Sequence, residues 1–239
     1  MPKPIKKRVP KKTASTEADV KDKLVSLKDT IKERQTTAIK YGAGVLVIFI
    51  AIVSFLLYSY TSQKKARMFE YEAYKTYYND NQGQSVNKEE QYKKALDIFK
   101  KAYDTRKTPI SLFYIACCYY ELGKYDDALK TLKDFTQRYS NEERFIPLAY
   151  QKMAISYIKQ GNVNEAIKTL DTLYNLHSNI YKDFALMEYG KLLEKEGKID
   201  EAKKKYKELT TKFPNSPFLE EAKVKLSEKS ESTRTKKKS

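Results

Sequence analysis

The residue types that most often carry chemistry are scarce in this 239-residue chain, which contains one histidine and two cysteines. A metal site needs several His, Cys or carboxylate ligands at a regular spacing, and no such cluster surrounds His177. Cys117 and Cys118 are neighbours, so on a helix their side chains point about 100° apart and a disulfide between them would be strained. We therefore interpret all three as structural residues.

Two carboxylate pairs, Glu89-Glu90 and Asp126-Asp127, have the residue types of an acid–base site. Both pairs fall where helical patterns begin, and negative charge there complements the helix dipole. The chain has no Gly-rich phosphate loop and no HExxH, GxSxG or CxxC motif. We expect no enzyme, no catalytic, cofactor-binding or metal-binding residue, and no cofactor.

The net charge of +16 raises the question of nucleic-acid binding, but it lies mainly in the two tails. Residues 1–40 carry 12 basic and 5 acidic side chains, and residues 223–239 carry 7 and 2. The body between them keeps only +4, which provides no concentrated footprint for a duplex. We expect no nucleic-acid partner, and we assign the N-terminal charge to membrane orientation and anionic lipid.

An uncharged run over residues 41–63 is the most apolar part of the sequence. At 1.5 Å per residue it is about 34 Å long, enough to cross a hydrocarbon core of about 30 Å. A cleaved signal peptide and a buried helix of a soluble domain are the alternatives, but 40 residues precede the run and no good cleavage site follows it. The run predicts a transmembrane helix.

Flanking basic residues predict the orientation of this span, because the cytoplasmic side is enriched in Lys and Arg. Six basic residues lie within about 20 residues before the span and four within a similar distance after it, and the N-terminal tail adds six more. We therefore expect a single-pass protein of the inner (cytoplasmic) membrane with a cytoplasmic N-terminus. The region after the span would lie in the periplasm or another extracytoplasmic space.

One pattern occurs three times after the span: ELGKYDDA at 121–128, KQGNVNEA at 159–166 and KEGKIDEA at 195–202. The glycines Gly123, Gly161 and Gly197 end one helical pattern each. Three residues later stands Asp126, Asn164 or Asp200, which could cap the next helix. The repeating unit is therefore a helix, a tight turn and a second helix.

The residues around these turns resemble the tetratricopeptide repeat, with large, small and aromatic residues at the family's spacing. The matching positions are Leu112, Ile115, Ala116, Tyr119, Ala128 and Leu132; then Tyr150, Met153, Ala154, Tyr157, Ala166 and Leu170; then Leu186, Tyr189, Gly190, Leu193, Ala202 and Tyr206. Phe135 and Leu173 depart from the pattern, because the family usually has a second small residue there. The resemblance implies an all-α fold, with one N-terminal transmembrane helix followed by a short tetratricopeptide-like solenoid.

We divide the chain on this basis into tails, membrane segments and repeats. The predicted parts are a basic disordered tail (1–19), an amphipathic juxtamembrane helix (20–40), the span (41–63), a repeat domain (64–226) and a second basic disordered tail (228–239). Within the repeat domain the predicted units are 64–109, 110–146, 147–181 and 182–216, with a capping helix at 217–227.

The family binds proteins on a groove lined by the first helix of each unit. Carried onto this chain, the resemblance implies that the groove-facing residues are Phe113, Cys117, Tyr120, Gln151, Ile155, Ile158, Met187, Lys191 and Glu194. The groove would change from apolar to charged along its length, which suits an amphipathic or extended partner segment. The alternative is that the chain's own N-terminal helix or a lengthened neighbour covers these residues.

The whole layout resembles the bacterial single-span protein family that serves as an ancillary subunit of the Sec translocon. That resemblance implies a non-enzymatic module that assists secreted or envelope proteins, with translocon subunits, envelope chaperones or nascent and unfolded clients as partners. Membrane lipid would be contacted through the span and the basic N-terminus. Two alternatives stay open: a structural scaffold of an envelope complex, such as division or outer-membrane assembly machinery, and a cytosol-facing receptor for chaperones or precursors.

Overall fold

The computed structural model describes residues 17–78 and 87–228, and the regular structure in these two stretches is helical throughout. The predicted all-α fold class is confirmed. The helices in the described part are α1 (Glu17–Tyr78), α2 (Lys88–Thr105), α3 (Pro109–Glu121), α4 (Tyr125–Arg138), α5 (Ile146–Lys159), α6 (Val163–Tyr174), α7 (Lys182–Lys195), α8 (Ile199–Lys212) and α9 (Leu219–Ser227). Most of both predicted tails and the connection at 79–86 lie outside the described residues.

The chain divides into two compact units, Met1–Tyr60 and Thr61–Ser239. The N-terminal unit contains the larger part of α1, whose apolar side chains between Val45 and Leu57 are exposed. Among the described residues α1 is the one helix long and apolar enough to cross a membrane. The segments predicted separately at 20–40 and 41–63 form one uninterrupted helix here.

The C-terminal unit begins inside α1, and the end of this helix pairs with α2 as an antiparallel hairpin. Ser62 Oγ donates to the Thr105 carbonyl oxygen at 2.8 Å, and Gln91 Nε2 donates to the Tyr77 carbonyl oxygen at 2.7 Å. Ser62 is thus part of this unit, which begins at Thr61 and leaves residues 41–60, about 30 Å of helix, for a span.

Three further hairpins follow, α3 with α4, α5 with α6 and α7 with α8, and α9 packs at the end of the row. Small side chains lie in the core of the last three hairpins: Ala128, Ala166 and Ala202 are completely buried. Phe135 and Leu173, which depart from the family pattern, are also completely buried. The hairpins therefore accommodate two larger residues within the core.

Glycine ends the first helix of the last three hairpins because the chain needs a left-handed residue there. Gly123, Gly161 and Gly197 have φ of +70°, +72° and +78°. At each turn the glycine N–H and the next N–H donate to carbonyls of the preceding helical turn, as in Lys124 N to Tyr119 O at 2.9 Å. This Schellman arrangement satisfies carbonyls that the helix end would leave unpaired.

The predicted capping role of Asp126, Asn164 and Asp200 is wrong. The second helices begin at Tyr125, Val163 and Ile199, so these three residues lie within the first helical turn. The Schellman turn uses only three residues beyond the first helix, and the next helix therefore starts earlier than the cap pattern suggested. The carboxylates of Asp126 and Asp200 instead complement the helix dipole.

A buried carboxylate joins the first hairpin to the second. Glu70 on α1 is 8% exposed, and its Oε1 accepts hydrogen bonds from the hydroxyls of Thr108 and of Ser111, the latter at 2.7 Å. Thr108 Oγ1 also caps α3 by accepting from the Ser111 N–H at 3.2 Å. Because a buried carboxylate is costly without partners, this network specifies how α1 meets the start of α3.

Candidate protein-binding surface

The first helices of the hairpins are the end of α1, α3, α5 and α7, and with α9 they carry two sets of cross-helix contacts, one joining α1, α3 and α5 and the other joining α7 and α9. We call this the first-helix surface. Glu121 Oε1 on α3 accepts from Tyr77 Oη of α1 at 3.4 Å and from Lys152 Nζ of α5 at 3.3 Å. Three successive first helices therefore meet at one carboxylate.

Lys152 adds a second contact on this surface, because its ammonium lies 4.1 Å from the centre of the Tyr120 ring. Tyr120 also packs at a tilt against Tyr125, with ring centres 5.6 Å apart. Burial raises the pKa of Tyr120, and the nearby Glu121 charge adds to this rise. The hydroxyl thus stays neutral at physiological pH, as a donor and acceptor beside a cation and a carboxylate.

The other end of the surface is held by ion pairs between α7 and α9. Lys191 Nζ lies 3.1 Å from Glu188 and 3.0 Å from Glu221, and Glu194 pairs with Lys225 at 3.1 Å. Burial lowers the pKa of Lys191, but its hydrogen bonds to the two glutamates outweigh burial and keep the pKa above its usual value. Lys191 is therefore charged and already paired, and a partner at this end meets a mixed-charge surface.

The nine residues of the predicted groove divide into two groups. Phe113, Cys117 and Met187 are core residues, with exposed fractions of 5%, 4% and 0%. The remaining six are half-buried: Tyr120, Gln151, Ile155, Ile158, Lys191 and Glu194.

Packing between neighbouring hairpins explains this division. Phe113 is enclosed by Phe135 and Phe145, with ring centres at 5.8 and 5.3 Å. Each of α3, α5 and α7 packs against its own partner and against the second helix of the preceding hairpin, so a spacing rule taken along one helix includes positions that a neighbouring helix covers. The six half-buried residues remain candidates for partner contact.

Several residues of this surface were missed by the spacing argument: Glu121, Lys152, Glu188, Glu221 and Lys225. Three of them directly follow a predicted groove residue in the chain, as Glu121 follows Tyr120. In the sequence, the available sign that these three residues belong to the surface was a charged side chain next to a predicted groove residue. Their pairing across helices was not visible, because Glu121 and Lys152 are 31 residues apart.

A tyrosine cluster forms the N-terminal end of the first-helix surface. Tyr114 on α3 packs against Tyr74 and Tyr77 of α1, with ring centres 4.5 and 5.5 Å apart, and its hydroxyl lies 3.1 Å from that of Tyr78. Burial raises the pKa of Tyr77 and of Tyr114. Tyr71 and Tyr78 remain 67% and 63% exposed, so aromatic surface of the kind enriched at protein interfaces is accessible here.

The two cysteines lie in the core, as free thiols. Burial raises the pKa of Cys117 to about 12, with the nearby Lys152 lowering it only in part. Burial also raises the pKa of Cys118. The reactive thiolate is therefore scarce at neutral pH.

We expect neither thiol of the native chain to react with a thiol-specific disulfide reagent at pH 8, and both to react after denaturation. Because pH 9 also lies far below the raised pKa of Cys117, raising the pH from 8 to 9 should leave the native thiols unreactive. Spectrophotometric thiol titration measures this. Rapid native reaction of one thiol would contradict the burial of Cys117 and Cys118.

His177 lines an open cleft between the connection from α4 to α5 and the connection from α6 to α7, together with Arg144, Pro147 and Ile180. Within residues 17–78 and 87–228, no group of three or more His, Cys, Asp or Glu side chains is arranged to hold a metal ion.

Two family models match the chain in the region of the hairpins. The model described as anaphase-promoting complex, cyclosome, subunit 3 matches residues 66–135 and 88–173, and the model described as tetratricopeptide repeat matches residues 184–216. The match to the tetratricopeptide repeat model spans the last hairpin, α7 with α8, and the other hairpins share its helix–turn–helix form. Domains of this kind are in general non-catalytic modules that bind other proteins.

Solved structures resemble the row of hairpins at low sequence identity. The "MamA RS-1 ArsTM double mutant" has 14% identity over 69% of this chain and 86% of its own, with a TM-score of 0.52. YrrB, titled a TPR protein with an unusual peptide-binding site, has 17% identity over 57% and 66%, with a TM-score of 0.45. A putative kinesin light chain from Podosopora anserina has 14% identity over 70% and 82%, with a TM-score of 0.46. None of the curated proteins matches at a significant level.

Proposed function

We propose that the protein is a membrane-anchored interaction module whose tetratricopeptide repeats bind segments of secreted or envelope proteins on the extracytoplasmic side of the inner membrane. The observation that carries this proposal is that the repeat domain begins within α1, directly after the apolar run. Ala66, Glu70 and Ala73, close behind this run, are already core residues of the repeat domain. Because these core residues follow the apolar run so closely in the sequence, the domain is suited to partners that emerge at the membrane.

The first-helix surface supports an extended or amphipathic partner segment. The half-buried side chains of Ile155 and Ile158 provide apolar contact, while Tyr120, Glu121 and Lys152 provide an aromatic ring and both signs of charge. Tyrosine is enriched among residues that dominate interface energetics. The excess of basic residues before the apolar run supports a cytoplasmic N-terminus and hence extracytoplasmic repeats.

Photo-crosslinking in native membranes tests this proposal directly. A crosslinking amino acid at Tyr120 samples the first-helix surface, and one at Lys168 on α6 is the control, because Lys168 is exposed on a second helix. Translocon subunits, envelope chaperones or many secreted precursors captured from Tyr120 alone would support it. One dominant partner from another machine would make the protein a scaffold, and capture of cytosolic proteins alone would overturn the orientation.

A charge swap separates binding from stability on the same surface. In the double variant E121K/K152E the ion pair between α3 and α5 is kept with its sign reversed, but the contact of the Lys152 ammonium with the Tyr120 ring is lost, so the free energy of unfolding should fall by about 1–2 kcal/mol at most. A partner that is complementary to Glu121 and Lys152 would meet the reversed charges at both positions. We therefore expect its affinity to fall about tenfold, which corresponds to a loss of roughly 1.4 kcal/mol of binding free energy. Affinity capture and urea unfolding measure the two quantities.

The matched control is the swap E165K/K168E on α6, which reverses an exposed ion pair of 2.7 Å away from the first-helix surface. It should leave partner affinity unchanged and lower the free energy of unfolding by about 1 kcal/mol or less, because Glu165 lies in the first turn of α6. Equal loss of affinity in the two double variants would argue against the first-helix surface as the binding site.

A further inference from the structure

The N-terminal part of α1 carries an apolar stripe that no described residue covers. Val20, Leu24, Leu27 and Ile31 recur at spacings of four, three and four residues, which places them on one side of the helix. Their exposed fractions range from 45% to 64%. Lys28 lines a shallow groove together with Leu24, Leu27 and Ile31. The stripe is therefore available to an occupant outside the described chain.

The charges around the stripe are sorted by sign. At about 100° per residue, basic side chains border the stripe on both sides and acidic side chains lie on the far side of the helix. The bordering residues are Lys21, Lys28 and Lys32 on one side, and Lys23 and Arg34 on the other. The far-side residues are Asp19, Asp22, Asp29 and Glu33.

We propose that residues 19–34 form an interfacial helix that binds an anionic lipid surface, on the membrane side that holds the N-terminus. In that position the apolar stripe enters the acyl boundary, the bordering Lys and Arg side chains extend to anionic headgroups, and the acidic residues face water. This inference rests on the proposed membrane anchoring, because the span holds the segment next to the bilayer.

Two glycines stand where an interfacial helix would have to turn into the span. A Cβ added to Gly42 or Gly44 would meet nothing within 4 Å, so close packing with described residues does not account for either glycine. Glycine weakens a helix, and glycines are sites where helices bend. The junction at residues 42–44 therefore permits the change of direction that the proposal needs.

A second copy of the chain is a less suitable occupant. A single-span protein would pair in parallel, and with Leu24 and Leu27 at the seam, Lys23 would lie beside Lys28 of the other copy. Like charges at these positions oppose pairing, whereas an anionic bilayer attracts them.

Spin labels on the full chain in lipid vesicles test the proposal. Single labels replace Leu27 and Ile31 on the stripe and Asp29 on the far side, in vesicles of phosphatidylcholine with or without phosphatidylserine. We expect the stripe labels, but not the Asp29 label, to be shielded from a water-soluble nickel relaxant when phosphatidylserine is present. Equal accessibility of all three labels would overturn the proposal. Shielding in both lipids with spin–spin coupling between copies would identify a dimer seam and also overturn it.

A fourth label at Ile48 distinguishes the failure of this inference from the failure of membrane anchoring. If the Ile48 label is shielded in every vesicle and the stripe labels are not, the anchoring holds and the interfacial helix is rejected. If the Ile48 label is accessible to the relaxant, the proposed anchoring fails and the inference fails with it.

A charge-reversal pair tests the role of the bordering lysines. The variant K28E/K32E should weaken the binding of this segment to the anionic surface by at least about fivefold for each basic residue removed. The Ile31 label, which measures this binding, should therefore become more accessible to the relaxant. The control K93E/K168E makes the same change in net charge on the repeat domain, at two exposed lysines. Equal effects of the two variants would contradict recognition by the N-terminal segment.

Discussion

Replacing Gly190 with alanine should lower the free energy of unfolding by about 2–3 kcal/mol, although alanine is the better helix former. Gly190 lies within α7, and a Cβ there would collide with three carbons of the Tyr206 ring, two of them at 2.7 and 2.9 Å and Cε1 closer still. Tyr206 is completely buried, so the ring has no free space into which to move. Urea unfolding of the full chain in detergent, followed by tyrosine fluorescence, measures the change.

Two variants of Tyr206 are controls for this collision. Y206L removes the ring atoms that the new methyl group would meet, so G190A should cost much less when combined with Y206L than alone. Y206F keeps the ring, and G190A should cost as much in that background as in the native chain. A stabilising effect of G190A alone would contradict the close packing of α7 on α8.

The Tyr206 hydroxyl gives Y206F an expected effect of its own. This hydroxyl has no hydrogen-bond partner among the described residues, and burial and the nearby Glu194 charge raise its pKa. Because the hydroxyl is buried without a partner, its removal should be neutral or slightly stabilising.

Replacing Phe135 with alanine should cost about 3–5 kcal/mol, the usual range for emptying a buried phenylalanine site. The substitution restores the small residue that the repeat family usually has at this position. If the family pattern alone decided stability, F135A would therefore cost little stability. Phe135 is completely buried, and its ring centre lies 5.8 Å from that of Phe113 and 5.5 Å from that of Tyr139. Phe145, with its ring centre at 6.3 Å, is a third aromatic neighbour, and the alanine variant therefore leaves a cavity that these three rings line.

The variants F135L and Y139A make this prediction specific. F135L fills most of the cavity and should lose less than half as much stability as F135A. Y139A removes a neighbouring ring that is only half-buried, and should also cost clearly less than F135A. Thermal unfolding that is unchanged by F135A would mean that this residue does not fill the core between α4 and α5.

Sequence alone predicted the fold class and the repeat type, since both depend on local patterns. The three repeated segments mark the turns, and the left-handed glycines at 123, 161 and 197 are a direct consequence of their sequence position. The buried alanines at 128, 166 and 202 follow from the same periodicity. Helix starts were less predictable, because an Asp or Asn after a turn is equally suited to a cap and to the first helical turn.

The candidate site was only partly predictable, as two adjacent residues of α3 illustrate. The resemblance assigned Phe113 to the open groove, but Phe113 is enclosed by α4 and the start of α5. Tyr114, which was not selected, packs at the surface with tyrosines of α1. Which of two neighbours is covered depends on the angle at which the next hairpin packs, and that angle is a property of many side chains together.

The helical hairpins, the turns between them and the long apolar run follow from local sequence, because periodicity, glycine conformation and hydrophobicity act over a few residues. Which first-helix side chains remain at the surface, and how they are paired, depends instead on the packing of the hairpins. The contacts of Glu121 with Tyr77 and with Lys152 join residues 44 and 31 positions apart. Such contacts arise when hairpins stack, and no local pattern along one helix encodes them.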